Sequence, residues 1–263
     1  MYQANGTYYT EDHSVSFGGL TTRSSGGVSY TDFTNYANTW SDWHLIPSSR
    51  PSIAHPTFVT KFVEIPGSDG MLDLSTFLTG RPTYGQRQGS LSFIVDNGHQ
   101  QWETLRAEMV RILHGKKLKM RLMDDPTYYY DGYYTVGQWE SGSDHSQIQI
   151  SYTLDPYKMK INTEGSSPVL WDTFNFERDY DYYSVMSPLA ISGSKSYTIY
   201  SGDYVFTPTV TWVSGSVSLT FGGVTQSLSS AGSKQLGRST PGNNTLSVSG
   251  SGSVTITWRG GAL

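Results

Sequence analysis

Apolar and polar positions alternate at period two over much of this chain, as they do in strands that bury one face. Val15 and Phe17, set among Ser14 and Ser16, predict a first strand that ends at Gly18-Gly19. Phe58–Ile65, Met71–Ser75, Gly89–Val95, Leu118–Leu122, Tyr128–Val136 (bent at Gly132) and Ser146–Leu154 read as further strands. Met71–Ser75 is expected to be short and half-buried. Pro66-Gly67 and Asp69-Gly70 precede it and Gly80-Arg81-Pro82 follows, so turns fix it on both sides. Turns this closely spaced describe a chain path held for assembly; a loop that opens over a substrate needs the reverse. One stretch changes period. Trp102, Leu105, Met109, Ile112 and Leu113 form a stripe at helical spacing and predict a helix over about 99–114. Asp96-Asn97-Gly98 can cap its start and Gly115 its end, where His114, Lys116 and Lys117 suit the negative pole of the dipole.

Two stretches break the pattern. Residues 18–39 are polar and Gly-rich around Ser24-Ser25-Gly26-Gly27, and read either as a hairpin arm or as a mobile loop. Asn162–Pro168 is polar and turn-rich and is placed as the boundary between an N-terminal domain, 1–162, and a C-terminal domain, 163–263. Beyond it, Trp171–Phe176, Leu189–Ile191, Ser196–Tyr200, Thr209–Val213, Val217–Phe221, Leu246–Val248 and Val254–Trp258 read as short strands separated by Gly, Ser and Asn turns. The expected fold is mainly β: an N-terminal β-sandwich with one α-helix and a hairpin arm, then a C-terminal jelly-roll or sandwich.

Composition narrows the function. The 263 residues carry 28 Gly, 19 Tyr and only 15% charged side chains, which favours strands and turns over helices. Residues 1–162 hold 13 Lys and Arg against 16 Asp and Glu, and residues 163–263 hold 5 against 6. Neither half is basic, which argues against non-specific nucleic-acid binding as the main task. With no Cys there is no disulfide, thiolate nucleophile or Cys-ligated metal, and folding in a reducing cytoplasm is possible. The start, MYQANGTYYTEDH, lacks a basic segment followed by an apolar one, so no signal peptide is expected, and no apolar run is long enough to insert in a membrane.

Candidate chemistry is sparse. Asp124-Asp125 with Asp131 reads as a hard-metal site or, more ordinarily, as turn carboxylates. The six His lack an HExxH spacing, no Ser sits in a GxSxG elbow, and Glu140 with Asp144 is a carboxylate pair of a kind any β protein carries. No catalytic, cofactor or metal residue is assigned, and an enzyme is not expected. Arg106, Arg111, Lys116, Lys117, Lys119 and Arg121 form a local basic concentration that could face DNA in a channel or be a solvated helix face and helix end. Tyr180, Tyr182, Tyr183 and Trp212 could stack on sugars or pack an inner face.

Order and spacing of longer motifs add a resemblance. WSDWHLIPSSRP, EIPGSDGMLDLSTFLTGRPTYGQRQGSLSF, the LHGKK helix end, and DDPTYYYDGYYTV followed by ISYTLDPYK together resemble the N-terminal domain of siphophage distal tail proteins, the Dit family. WDTFNFE (Trp171–Glu177), Pro241-Gly242-Asn243-Asn244 and the ending VTITWRGGAL resemble the galectin-like C-terminal domain of that family. Residues 18–39 are longer than the family's usual link. The resemblance implies a homo-hexameric ring at the distal end of a long non-contractile tail. Such a ring joins the tail tube to tip proteins, among them tail-associated lysin and receptor-binding proteins. Its channel passes the tape measure protein and then DNA, without specific DNA binding. Under it, Trp40, Trp43, Arg50 and Arg81 are candidate subunit contacts, with monomer core or turn support as their other reading. The alternative function is a carbohydrate-binding module for host cell-wall recognition.

Overall fold

A computed structural model describes residues 13–25, 28–67, 69–77, 79–95, 101–141, 146–161, 188–201 and 204–263. The fold is mainly β, with one α-helix among the described residues. The chain divides into two compact units. Met1–Gly19, Thr34–Lys158 and Leu263 make the first, and Leu20–Phe33 and Met159–Ala262 the second.

The strands are β1 (Val15–Ser25), β2 (Val28–Asn38), β3 (Leu45–Pro47), β4 (Phe62–Glu64), β5 (Met71–Asp73), β6 (Arg87–Val95), β7 (Lys117–Leu122), β8 (Tyr128–Ser141), β9 (Ser146–Leu154) and β10 (Lys158–Lys160), and α1 is Trp102–Leu113. The main sheet runs β2-β1-β7-β8-β9-β6-β3. Its register follows the alternation: Phe17 pairs with Met120, Leu91 with Ile150 and Phe93 with Ile148, so the apolar positions of neighbouring strands share one face. That face, with Trp102, Leu105, Met109 and Leu113 of α1, forms the first core.

Several expectations change in detail. Helix α1 starts at Trp102, with Gln101 as an N-cap that makes no side-chain cap bond; Asp96-Asn97-Gly98 lies outside the described residues. Its end is as expected: Gly115 takes a left-handed φ of 69°, and Lys116 Nζ donates to the Arg111 carbonyl at 2.5 Å. The first strand does not stop at Gly18-Gly19. A Cβ on Gly18 would lie 1.9 Å from the Thr34 carbonyl oxygen, so the glycine admits the close approach of β2, and 18–39 is a hairpin. The irregularity in β8 falls between Val136 and Trp139, not at Gly132.

The second unit holds β11 (Leu189–Tyr200), β12 (Thr209–Phe221), β13 (Val224–Leu228), β14 (Ser233–Gln235), β15 (Asn243–Thr257) and β16 (Gly261–Ala262). Its sheet runs β11-β15-β12-β13, with β14 also on β12. Phe206 stacks between Phe221 (6.2 Å) and Trp258 (5.7 Å) in its core. Three pairs of expected short strands are in fact three long ones. Ser192-Gly193-Ser194, Ser214-Gly215-Ser216 and Ser249-Gly250-Ser251 read as turns, but Gly193 pairs with Gly250 and Gly215 with Gly252. Trp171–Phe176 lies outside the described residues.

Candidate functional site

Within the first unit the chain is buried at Pro51 and, among the described residues, is next buried at Arg87. Between them it builds an arm of its own. Gly85 donates to the Thr57 carbonyl (2.7 Å) and Val59 to the Thr83 carbonyl (2.9 Å), with a bridge from Phe58 to Tyr84. Farther out, β4 and β5 pair antiparallel, Phe62 opposite Asp73 and Glu64 opposite Met71. Leu74 donates to the Lys61 carbonyl at 2.8 Å and Lys61 to Ser75 Oγ at 2.9 Å, which closes the ladder. The turns are those the sequence specifies. Gly67, Gly70 and Gly80 have φ of 81°, 90° and 66°, a region an L side chain rarely adopts. Asp73 accepts from the Ser75 amide at 2.8 Å, and its hydrogen bonds with Ser75 hold its carboxyl below the usual aspartate range.

No described residue from 52 to 86 is buried. The sequence predicts Met71–Ser75 to be half-buried; Leu74 and Ser75 are, but the strand itself is not, and this is the main correction: Met71 is 63% exposed and Leu72 48%. Alternation supplies two faces, but among the described residues neither face of β4 or β5 is covered. Phe58, Val59, Phe62, Val63, Ile65 and Phe77 are exposed too, Phe77 at 77%. Eight of the fourteen large hydrophobic side chains exposed among the described residues therefore lie between Phe58 and Phe77. A two-stranded ribbon is marginal by itself, and apolar side chains clustered on a surface mark contact with another molecule. The sequence marks the Met71–Ser75 stretch and its turns as a path held for assembly, but none of these eight side chains is among its candidate contacts. The available signal was apolar content carried by a stretch whose turns leave it no room to reach the core.

The four candidate subunit contacts separate. Trp43 is fully buried in the first core, 6.1 Å from Phe17, and so takes the monomer-core reading. Trp40 is half-buried with its ring edge-on to His44 at 5.8 Å. Asn38 shapes that turn: its Oδ1 accepts from the amides of Trp40 and Ser41, and its Nδ2 donates to Ser14 and Ser16. Arg50 is exposed and donates to Asp124 at 2.7 Å. Arg81 is half-buried and lies on the arm, its carbonyl taking the Thr79 hydroxyl at 2.6 Å.

The acidic candidates find cations. Asp124 also meets His13 at 2.5 Å, Asp125 takes Lys158 at 2.6 Å, and Asp131 takes Lys119 at 2.5 Å. Among the described residues no group of three His, Cys, Asp or Glu is placed to hold a metal ion. In the second unit Trp212 is half-buried against the core and donates from Nε1 to the Gly215 carbonyl at 2.9 Å. Tyr180, Tyr182 and Tyr183 lie outside the described residues. No described helix is long and apolar enough to cross a membrane.

No protein-family model and no curated protein matches the chain. Among solved structures it is similar to the crystal structure of the SPP1 Dit protein (gp 19.1), described as a paradigm of hub adsorption apparatus in Gram-positive infecting phages. The identity is 11%, over 95% of this chain and 99% of that one, with a TM-score of 0.49. Similarity at that level identifies neither a family nor a function for this chain.

Proposed function

We propose that this chain is a self-associating structural protein of a phage tail: the subunit of the ring at the distal end of a long non-contractile tail. The observation that carries the reading is the 52–86 arm, apolar in content, fixed by its turns, and with eight large apolar side chains from Phe58 to Phe77 exposed among the described residues. A closed ring of identical subunits needs one surface to meet a different surface on the next copy. An uncovered ribbon with a specified path suits that contact. The order and spacing of WSDWHLIPSSRP, the EIPGSDGMLDLSTFLTGRPTYG run and ISYTLDPYK support the distal-tail assignment over other ring proteins.

In this reading residues 1–162 form the ring, with six copies around a channel, and residues 163–263 are the galectin-like part that faces outward. The ring joins the tail tube to tail-associated lysin and receptor-binding proteins. The tape measure protein and then DNA pass through it, the DNA without specific recognition. The chain does no chemistry in this role.

The test is mass photometry with negative-stain imaging of the purified full-length chain over a concentration series. Closed rings are expected to appear as concentration rises. A chain that stays monomeric at the highest concentration, together with tail particles that lack such a ring, would contradict the assignment.

A further inference from the structure

Arg87 stands where the arm rejoins the sheet, on the same parity of β6 as Leu91, Phe93 and Val95, which point into the core. It is 2% exposed. Its Nε donates to the Pro156 carbonyl at 2.8 Å and its Nη1 to the Ala54 carbonyl at 3.0 Å. The guanidinium also lies over the Tyr130 ring, 5.5 Å from the centroid. Both acceptors are backbone carbonyls rather than carboxylates, and Nη2 is buried without a partner among the described residues. Ala54 is gripped from its other side as well, its amide donating to the Tyr152 hydroxyl at 3.0 Å. Gly89 makes room for that hydroxyl, since a Cβ there would lie 2.4 Å from it.

As a source of stability this arrangement is poor. A buried charge without a counter-ion costs desolvation energy, which its hydrogen bonds to neutral carbonyls offset only in part. What the planar fork does provide is direction. It ties the first residues of the arm to the β9 end of the sheet from within the strand that ends the arm. The ladder rungs at Thr57–Gly85 and Val59–Thr83 join the two sides of the arm only to each other, so they cannot set its angle to the sheet.

We propose that Arg87 is a positioning residue of the arm: beside the packing of Ile53 on the first core and of Tyr84 on Tyr157 (6.1 Å), it sets the angle at which residues 52–86 leave the sheet, and its contribution is to assembly rather than to the stability of the folded chain. The inference rests on the self-association reading for its consequence, but the geometry at Ala54 tests it independently.

The experiment compares full-length wild type with Arg87→Met and Arg87→Lys by three readouts: thermal unfolding, amide hydrogen exchange over residues 53–60, and association over a concentration series. Both variants are expected to melt within about 3 °C of wild type. Exchange at the arm root should rise about tenfold in both, because a lysine keeps the charge but cannot bridge two carbonyls. Association should weaken about tenfold in both. Tyr152→Phe, which removes only the hydroxyl, should raise exchange at Ala54 while leaving Arg87 in place. Unchanged root exchange in Arg87→Met, full rescue by lysine, or loss of the folded unit in Arg87→Met would each overturn the proposal. If wild type itself does not associate, the ring reading fails while the exchange result still decides the role of Arg87.

Discussion

Residues 52–86 hold thirteen apolar side chains among thirty-five, close to the 36% of the chain as a whole. The sheet they leave buries such side chains completely: Phe17, Trp43, Phe93, Met109, Met120 and Ile150 have no exposed surface. Among its described residues the arm buries none. Hydrophobic content therefore does not separate core from surface here; access to a second layer does. Strands β6, β8 and β9 have nine or more residues and share one core with helix α1, whereas β4 and β5 have three residues each and pair only with one another. The same kinds of side chain that stabilise one region by about 1.5–3 kcal/mol each when covered stay exposed in the other.

That contrast can be broken by substitution. Trp43→Ala should cost about 3–5 kcal/mol in chemical denaturation, because the cavity lies in a close-packed core. Gly132→Ala comes next. A Cβ there would lie 2.2 Å from the Thr153 carbonyl oxygen, so the β8–β9 ladder must shift, and a loss of about 1–3 kcal/mol is expected by the same measurement. Phe62→Ser, on the arm, should change monomer stability by no more than about 0.5 kcal/mol, since the ring is already half in water. A large loss there would mean that the arm is covered within the monomer.

Two pH effects sharpen the comparison further. Burial pushes the Tyr134 phenol well above its ordinary range. Its neutral form is thus favoured in the folded chain, and the stability tied to it is complete below the unfolded value near 10 and lost as pH rises beyond it. Tyr134→Phe should flatten that alkaline loss in denaturation curves. At neutral pH it should cost little, because the hydroxyl is buried without a partner among the described residues. The smallest effect belongs to the arm. Asp73 is held below the usual aspartate range by Ser75, so the turn is intact at neutral pH and loosens as pH falls through the lowered value. NMR shifts of Asp73 and Ser75 should follow that change while the core resonances stay fixed.

Sequence carried the body of the first unit well, because period-two alternation in Gly89–Val95 and Ser146–Leu154 and the stripe of Trp102 to Leu113 each state both an element and its buried face. It carried the arm's turns but not its exposure, since Met71–Ser75 alternates whether or not anything lies above it. It broke the long strands of the second unit, because Ser-Gly-Ser has turn chemistry and nothing local reveals that Gly215 faces Gly252 across a ladder. Trp40 and Trp43 could not be told apart by type; the Asn38-centred turn sends one inward. Arg87 was missed although a charged residue on the inward parity of a strand was there to be read.

The central claim is that the arm is a contact surface between copies of this chain. The most direct test is sedimentation velocity of full-length wild type and of a Phe62→Ser, Met71→Ser, Phe77→Ser variant over the same concentration range. The account predicts concentration-dependent assembly for wild type, and for the variant a monomer with unchanged melting temperature. Equal assembly in both would contradict it.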